Sequence, residues 1–598
     1  MTRADELRAN AEAWLHGDPD EGTRAELASI LARGDQAELA ERVGAKLEFG
    51  TAGLRGLIGA GPNRMNRAVV IRTTFGLARY LAAEVPGAAR RGVVIGRDGR
   101  RFSREFGEDA AGVFAAAGIT VHWFEELAST PLTAFAVAHL GAALGVMITA
   151  SHNPADYNGY KVYWQNGAQI VPPQDSGIAA CIEAAPAASS IPRRALETAR
   201  ADGRLTSISG DVERAYLAGV VARMSVPADP SLRIVYTPLH GVGFPFAERA
   251  MAAAGFHPLI AVAEQVRPDA TFPTTPFPNP EEPGVLDLAL ALARRENADL
   301  VVANDPDADR LAVAVPDDRG DFVQLTGNQV GALLGHFLLS RSKMPGEPPR
   351  AVVSTIVSSP MLGDIARSFG VHYEETLTGF KWIASRALEL EHAGRRFVFG
   401  YEEALGYCVG SLVRDKDGVG AAVAFAELAS ACRARGETVF DYLCRLYGEF
   451  GLYASSQHNV TMQGAEGSAR LARIMTALRA SAVQVISGRA VVARRDYDLG
   501  RAWLRDGREE ALMLPRSNVL VFELEGETRV VVRPSGTEPK LKYYLDHREP
   551  VVVATAVGDP SVEGLDLGTA TALAAAEVRA RAELRAVSEG VDGLLLGR

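Results

Sequence analysis

Short apolar runs alternate with longer stretches rich in alanine, leucine and charged residues along most of the chain. Leu144-Gly145-Val146-Met147-Ile148 is an uninterrupted apolar run, the pattern of a strand buried on both faces. Strands separated by helical stretches such as 244–254 indicate α/β layers with largely parallel sheets. Similar runs occur at 93–95, 232–236, 298–303 and 351–353.

The two ends of the chain follow other patterns. About the first 40 residues are rich in alanine, leucine and charge, which predicts helices. Segments 519–523 and 529–532 predict a small antiparallel sheet, and 569–587 predicts one amphipathic helix with Thr569 as its N-cap. The proline-rich segment 272–283 predicts a long loop.

Composition describes an ordinary globular protein of several domains. The chain has 598 residues, which corresponds to roughly four domains of about 150 residues. It is 47% hydrophobic, and its net charge of −10 argues against a nucleic-acid binder, which usually presents a basic face. Its four cysteines are far apart and form no C-x-x-C pair, so we expect no zinc or disulfide framework.

The N-terminal segment is charged and lacks the apolar core of a secretory signal. No run approaches the ~20 apolar residues that a membrane-spanning helix needs. The sequence therefore predicts a cytoplasmic protein with no membrane partner.

The hexapeptide Thr149-Ala150-Ser151-His152-Asn153-Pro154 directly follows the apolar run 144–148. A serine in this position stands on a loop at the edge of a sheet, where open α/β folds bind ligands. Its hydroxyl is a weak nucleophile unless a neighbouring group activates it. The alternative interpretation is an ordinary Ser/Asn turn.

The segment Asn304-Asp305-Pro306-Asp307-Ala308-Asp309-Arg310 follows the apolar run 300–303. Three carboxylates at alternating positions of a loop can converge on one hard cation such as Mg²⁺. The spacing resembles the start of an EF-hand loop, but the glycine and the later glutamate of that motif are missing. A solvated acidic turn is the alternative.

Three further loops carry polar groups beside glycine. Segment 400–406 offers the carboxylates of Glu402 and Glu403, which suit sugar hydroxyls. Segment 533–540 offers a guanidinium, hydroxyls and amides for a phosphate. Segment 49–56 places Arg55 among three glycines. Each of these segments taken alone is an ordinary polar turn.

Together the five motifs resemble the α-D-phosphohexomutases, which carry a phosphoryl group on a loop serine and move phosphate between two positions of a sugar. The resemblance covers most of the chain. It implies that Ser151 carries the phosphoryl group and that Arg55 helps to hold it. It also implies a Mg²⁺ site formed by Asp305, Asp307, Asp309 and an oxygen of phosphorylated Ser151.

Proton transfer has two candidates. Lys161 corresponds to the family lysine proposed as general base, and His152 beside the serine is the other choice. We expect Arg310 to neutralise charge on the phosphoryl oxygens together with Arg55 and the cation.

The resemblance also implies the substrate-binding residues. Many members carry serine where this chain has Ala404, and Lys381 is a candidate proton donor or phosphate ligand. The residues lie in three loops: Thr378, Gly379 and Lys381; Glu402 and Ala404; Arg533, Ser535, Gly536 and Thr537.

The resemblance implies an α/β fold of four domains around a central cleft, with three α/β domains whose mixed sheets are mostly parallel and a smaller C-terminal α+β domain. We predict four domains, each with one of these motifs. Domain 1–205 carries the serine loop 149–154, and domain 206–326 carries the aspartate loop 304–310, which is the predicted metal loop. Domain 327–452 carries the sugar loop 400–406, and domain 453–598 carries the phosphate clamp 533–540. The last domain is expected to act as a lid.

Segments 236–243, 277–282 and 376–381 resemble the long phosphoglucomutase/phosphopentomutase branch. The expected reaction interconverts glucose 1-phosphate and glucose 6-phosphate through a phosphoserine and a bisphosphorylated sugar. Mg²⁺ is the expected cofactor and glucose 1,6-bisphosphate the activator. Phosphopentomutase and phosphomannomutase activities are alternatives, and a Mg²⁺-dependent sugar phosphatase is less favoured. The expected partners are small sugar phosphates, and the chain is expected to be a monomer or homodimer.

Overall fold

A computed structural model describes residues 2–50, 53–341, 346–461, 464–534, 540–552 and 567–596. The chain begins with α1 (Arg3–Gly17), α2 (Glu21–Arg33) and α3 (Gln36–Val43). Side-chain oxygens of Thr2, Asp20 and Asp35 accept hydrogen bonds from the first turn of these helices, which explains where each one starts. The predicted N-terminal helices are confirmed.

The first sheet holds the serine loop. Its strand order is β1-β5-β4-β2-β3-β6, with β2, β3, β4 and β6 parallel and with β1 and β5 antiparallel to their neighbours. The elements are β1 (Leu54–Leu57), α4 (Arg67–Glu84), α5 (Ala88–Arg91), β2 (Val93–Arg97), α6 (Ser103–Ala116), β3 (Val121–Trp123), α7 (Thr130–His139), β4 (Leu144–Ile148), β5 (Tyr157–Trp164), α8 (Gln174–Glu183), α9 (Leu196–Ala201) and β6 (Leu205–Ser207).

The second sheet holds the aspartate loop, which follows its central strand β9. The strand order is β11-β10-β9-β7-β8, with β7, β8 and β9 parallel. The elements are α10 (Gly210–Val221), β7 (Ile234–Thr237), α11 (Phe244–Ala254), β8 (Ile260–Ala261), α12 (Asp287–Glu296), β9 (Leu300–Ala303), β10 (Ala312–Pro316) and β11 (Phe322–Gln324).

The third sheet has the order β13-β12-β14-β15 and ends in the antiparallel pair β14–β15, whose connecting turn is the 402–406 loop. The elements are α13 (Gly327–Ser340), β12 (Arg350–Thr355), α14 (Met361–Ser368), β13 (His372–Thr376), α15 (Phe380–His392), β14 (Arg396–Glu402), β15 (Gly406–Val409), α16 (Gly418–Ala434) and α17 (Val439–Phe450).

The C-terminal part is an antiparallel sheet with helices. Its order is β16-β23-β22-β21-β18-β19-β20, and β17 pairs with β18. The elements are β16 (Leu452–Thr461), α18 (Gly464–Ala480), β17 (Val485–Ile486), β18 (Arg489–Asp496), β19 (Arg501–Leu504), β20 (Glu509–Ala511), β21 (Leu520–Leu524), β22 (Thr528–Pro534), β23 (Lys540–Glu549) and α19 (Leu567–Leu596).

The predicted fold class is confirmed: three α/β domains with mostly parallel core strands precede a β-rich C-terminal domain. The predicted Thr569 cap is wrong, because α19 already begins at Leu567. Strand β6 ends at Ser207, beyond residue 205 where we place the first domain boundary. The four domain ranges stay a prediction. Among the described residues, no helix has both the length and the apolar character to cross a membrane.

Candidate active site

The serine loop begins where β4 ends and is held by the backbone of its own turn. Ser151 is 3% exposed and has φ 53, a left-handed conformation that is uncommon outside glycine. Its amide donates to Thr149 Oγ1 at 2.8 Å. The loop therefore presents its hydroxyl from a turn rather than from the end of a straight strand.

Arg100 fixes the serine loop, and the sequence reasoning missed it. Its guanidinium donates to the backbone oxygens of Ser151 at 2.6 Å and Asn153 at 2.5 Å. Asp98 accepts the Arg100 amide at 3.0 Å, which anchors the arginine at the end of β2. The available signal was the Gly-Arg-Asp-Gly-Arg turn at 96–100, which ends a strand adjacent to β4.

The structure brings the serine loop and the aspartate loop into contact. Ser151 Oγ donates to Asp305 Oδ2 at 2.6 Å and lies 3.3 Å from His152 Nδ1. This contact joins the loop that follows β4 of the first sheet to the loop that follows β9 of the second.

Asp305, Asp307 and Asp309 are fully buried, and one carboxylate oxygen from each lies within 4.8 Å of the others. Lys161 Nζ donates to Asp307 Oδ2 at 2.6 Å and to Asp309 Oδ2 at 2.8 Å. Asp307 Oδ1 and Asp309 Oδ1 are buried and have no hydrogen-bond partner among the described residues. Carboxylate oxygens that converge in this way fit a hard divalent cation.

Burial and mutual repulsion govern protonation in this cluster. Burial and the charges of Asp307 and Asp309 raise the pKa of Asp305 well above its usual value. Burial alone lowers the pKa of Lys161, but the two aspartates outweigh it and raise that pKa. Lys161 is therefore an ammonium ion here, and it supplies part of the positive charge that the aspartates require.

His152 has the opposite electrostatic environment. Burial, with the positive charges of Arg310 and Arg55, lowers its pKa well below the usual value, so the imidazole is neutral. Phe277 from the proline-rich loop lies beside it, with ring centroids 6.2 Å apart. A neutral imidazole next to Ser151 is able to accept a proton.

Arg55 reaches the serine loop from the edge strand β1. Its Nη1 donates to Asn153 Oδ1 at 3.0 Å. Gly53 has φ 74, and a Cβ there would lie 1.9 Å from the Tyr160 carbonyl oxygen, so glycine is required for this approach. Thr51 and Ala52 of the motif lie outside the described residues.

Arg310 links the aspartate loop to the sugar loop. Its amide donates to Asp305 Oδ1 at 2.9 Å, and its backbone forms a β-bridge with Gly406. Its Nη1 pairs with Glu281 Oε2 at 3.2 Å. The sequence reasoning missed Glu281, although this carboxylate lies in a predicted loop that also resembled the family.

Glu402 ends β14 and is 8% exposed. Burial raises the pKa of its carboxyl to about 7, against the opposing effect of the Lys416 ammonium. Lys416 Nζ also lies 3.3 Å from Asp309 Oδ2, so it connects the sugar loop electrostatically with the aspartates. This lysine was missed too, and its signal is the charged run Asp415-Lys416-Asp417 before a glycine.

After Glu402 the sugar loop reverses direction and enters the antiparallel strand β15. Glu403 Oε2 accepts hydrogen bonds from Ser358 Oγ at 3.0 Å and from Thr355 Oγ1 at 3.2 Å. Ala404 is half-buried in the turn between β14 and β15. Glu403 is thus held by the protein, which leaves Glu402 as the carboxylate of this pair with no side-chain hydrogen bond to the described residues.

Thr378 and Gly379 lie in the loop before α15, and Lys381 lies in the first turn of that helix. Gly379 has φ 111 at the start of the helix, and Thr378 Oγ1 is buried without a hydrogen-bond partner in the described part of the chain. Burial lowers the pKa of Lys381 to about 8, and its Nζ lies 5.4 Å from the Trp382 ring centroid. A lysine with a lowered pKa exchanges protons more readily near neutral pH.

Arg533 lies near the end of β22. Its Nε is buried and has no hydrogen-bond partner among the described residues. The other predicted members of this clamp, Ser535, Gly536 and Thr537, lie outside the described residues. Their part in phosphate binding stays a prediction.

Comparison with known proteins identifies the family. Residues 46–188, 214–320 and 326–450 match the α/β/α domains I, II and III of the phosphoglucomutase/phosphomannomutase family. The chain belongs to this family, within the α-D-phosphohexomutase superfamily, as the motifs predicted. It is an enzyme of the intramolecular phosphotransferase class.

Three relatives show how close the likeness is. A Schizosaccharomyces pombe protein named probable phosphoribomutase is 40% identical over 561 residues, 90% of this chain and 93% of the relative. Human phosphopentomutase is 38% identical over 554 residues, 89% of this chain and 90% of the relative. A Haemophilus influenzae probable phosphomannomutase is 40% identical over 488 residues, 81% of this chain and 93% of the relative.

Among solved structures, the open form of the Paramecium phosphoglucomutase parafusin has the same fold. Its TM-score is 0.63 at 17% identity, covering 93% of this chain and 97% of that structure.

Proposed function

We propose that this enzyme moves a phosphoryl group between C1 and the terminal carbon of a sugar phosphate, with Ser151 as the phosphoryl carrier. The observation that carries the proposal is the 2.6 Å hydrogen bond from Ser151 Oγ to Asp305 within the buried aspartate cluster. A hydroxyl at the edge of a cation-binding cluster is placed for phosphoryl transfer, where positioning and charge neutralisation dominate.

Each residue of the site has its own role in the proposed phosphoryl transfer. The substrate hydroxyl attacks the phosphorus atom, the bond to Ser151 Oγ breaks, and a bisphosphorylated sugar forms. His152 and Lys161 are the two candidates for moving the hydroxyl proton: the neutral imidazole of His152 can accept it, although burial makes that nitrogen a weak base, and the Lys161 ammonium ion can act as the acid. Arg55 and Arg310 neutralise the phosphoryl oxygens. Mg²⁺ held by the three aspartates would supply further neutralisation of that charge.

The intermediate then turns over, so that its other phosphate faces Ser151. Glu402 and the loop of Thr378, Gly379 and Lys381 bind the sugar in both orientations, and the Arg533 loop holds the phosphate that is not reacting. Retaining the intermediate requires a closed cleft, which supports a lid role for the C-terminal domain.

For the sugar, we propose pentose 1-phosphate/5-phosphate interconversion as the main reaction. The names of two relatives at 38% and 40% identity over most of the chain favour it. The glucose 1-phosphate/6-phosphate reaction expected from the motifs is the second candidate. A phosphomannomutase is the third, because a relative at 40% identity bears that name.

One assay tests these proposals. Purified protein, Mg²⁺ and a trace of glucose 1,6-bisphosphate are incubated with ribose, deoxyribose, glucose and mannose 1-phosphates. Isomerised sugar phosphate supports the mutase, and relative kcat/KM values identify the sugar. Release of inorganic phosphate without isomerisation indicates a sugar phosphatase and contradicts the proposal.

Replacing Ala404 with serine tests the source of sugar selectivity. Many family members have a hydroxyl at this position, and one neutral hydrogen bond contributes roughly 0.5–1.5 kcal/mol, or about 2- to 12-fold in rate. We expect Ala404→Ser to shift the kcat/KM ratio several-fold towards glucose 1-phosphate relative to ribose 1-phosphate. The kcat/KM values for glucose 1-phosphate and for ribose 1-phosphate are measured in wild type and variant. An unchanged ratio would contradict the role of residue 404, either because its side chain does not face the sugar or because Glu402 and the Thr378-Gly379 loop set specificity alone.

The raised pKa of Glu402 predicts that kcat/KM depends on pH near neutrality. Because its pKa is raised to about 7, the carboxylate protonates as the pH falls through neutrality, loses its charge and accepts hydrogen bonds from hydroxyls more weakly and at fewer sites. We expect kcat/KM to fall below about pH 7 in wild type, and Glu402→Gln to lose this part of the profile. The phosphate of the substrate titrates equally in both proteins, so their difference reports Glu402. Identical profile shapes would contradict the assignment.

A further inference from the structure

Chains of hydrogen bonds link an ion pair in the C-terminal sheet to both neighbours of Glu402. Arg529 on β22 and Asp546 on β23 are register partners, with Arg529 Nη2 and Asp546 Oδ2 2.9 Å apart. Their side chains are 6% and 5% exposed. From this pair, two separate routes cross to the sugar-loop domain.

The first route runs from Arg529 to Glu403. Arg529 Nη2 donates to the backbone oxygen of Ser358, and Nη1 donates to Glu375 Oε1 at 3.0 Å. Ser358 is fully buried, and its Oγ donates to Glu403 Oε2 at 3.0 Å and accepts from the Glu403 amide at 3.2 Å. Ser358 thus contacts the C-terminal sheet with its carbonyl and the sugar loop with its hydroxyl.

The second route runs from Asp546 to Tyr401. Asp546 Oδ1 accepts from Ser455 Oγ at 2.7 Å, and Ser455 Oγ accepts from Asn328 Nδ2 at 3.0 Å. Asn328 Oδ1 in turn accepts from the Tyr401 hydroxyl at 3.2 Å and from the Ser359 amide at 2.8 Å. The two routes therefore end on the residues immediately before and after Glu402.

We propose that Arg529 and Asp546 are positioning residues that couple the C-terminal domain to the sugar loop, so that Glu402 is correctly placed when that domain is docked. The proposal rests on the proposed function of Glu402. The same strand β22 carries Arg533 of the predicted phosphate clamp. A movement of this strand that brings the clamp onto the substrate would thereby also act on the backbone that carries Glu402.

The test uses substitutions that leave the ion pair intact. Removing Arg529 would leave the buried carboxylate of Asp546 without its counter-charge, and that alone would strongly destabilise the fold. Ser358→Ala removes the hydroxyl that bonds to Glu403, which interrupts the first route, and it keeps the backbone carbonyl that Arg529 contacts. Ser455→Ala cuts the second route at an exposed residue. Ser456→Ala, next to it on β16, is the matched control, because among the described residues its hydroxyl hydrogen-bonds only with His458.

Hydrogen exchange of the wild type and variants tests the coupling without turnover. We expect Ser455→Ala, a change in the C-terminal sheet, to speed amide exchange at 401–406 in the sugar loop. Ser455→Thr, which keeps the hydroxyl, should restore the wild-type rate, and Ser456→Ala should have no effect. Exchange at 401–406 that is the same in Ser455→Ala and Ser456→Ala would overturn the coupling.

Kinetics then tests what the coupling does. We expect Ser358→Ala and Ser455→Ala each to raise KM by about 2- to 12-fold, the effect of one hydrogen bond. The bisphosphorylated sugar released per turnover should also increase, because a poorly held intermediate escapes. If both values match the Ser456→Ala control, the positioning role is wrong. Wild-type protein that isomerises no sugar phosphate would instead overturn the proposed function, while the exchange result still decides the coupling.

Discussion

Ser151→Ala is expected to lower mutase turnover by about 10³-fold or more, the scale of loss seen when an enzyme loses its nucleophile. The substitution removes the atom that receives the phosphoryl group and the hydrogen bond to Asp305. Binding should survive, because the predicted sugar and phosphate contacts come from Glu402 and Arg533 in other domains. Turnover, calorimetric binding of the sugar phosphate and intact mass after incubation with glucose 1,6-bisphosphate measure these effects.

Ser176→Ala is the matched control, since Ser176 is in the same domain but exposed on α8, and among the described residues its hydroxyl donates only to the Pro173 carbonyl. We expect this control to turn over normally and to gain one phosphoryl group in its mass. Ser151→Ala should gain none. Near-normal turnover in Ser151→Ala, or phosphorylation at another residue, would remove the central assignment.

The serine and aspartate loops could be predicted from sequence because each directly follows a fully buried strand. Strands β4 and β9 are short apolar runs, and the polar residues after them must lie at an edge of their sheets. That the two loops meet across a cleft did not follow from local pattern. It came from the resemblance to a family, and the contact between Ser151 and Asp305 agrees with it.

The residues that sequence reasoning missed act through tertiary contacts with residues distant in sequence, and one of these contacts crosses a domain boundary. Arg100 is distant in sequence from the carbonyl oxygens it holds, Glu281 pairs with Arg310, and Lys416 approaches Asp309 from another sheet. An arginine, a glutamate and a lysine in polar loops look like ordinary solvated charge until the tertiary contacts are known. The local sequence pattern also predicted a wrong start for the last helix: α19 begins before the predicted cap Thr569 and packs against β16 and β23.

Asp307→Asn is expected to weaken Mg²⁺ binding and to lower kcat by about 10²-fold or more, since even losing a residue that only supports a metal ligand costs 10- to 100-fold. Asp307 lies at the centre of the cluster, where Thr130 Oγ1 donates to it at 2.6 Å and Lys161 at 2.6 Å. Asparagine retains one oxygen but loses a negative charge, so a divalent cation is held less strongly. The Mg²⁺ dependence of the rate and the Mg²⁺ affinity from calorimetry measure the effect.

The fold should tolerate this change, because asparagine has nearly the same shape as aspartate and its oxygen can still accept from Thr130. Asp318→Asn, an exposed aspartate in the turn between β10 and β11, is the matched control and should leave the Mg²⁺ dependence unchanged. Equal Mg²⁺ dependence in wild type and Asp307→Asn would show that the aspartates do not bind the catalytic cation. In that case Lys161 and Lys416 would balance their charge, and neutralisation of the phosphoryl group would rest on Arg55 and Arg310.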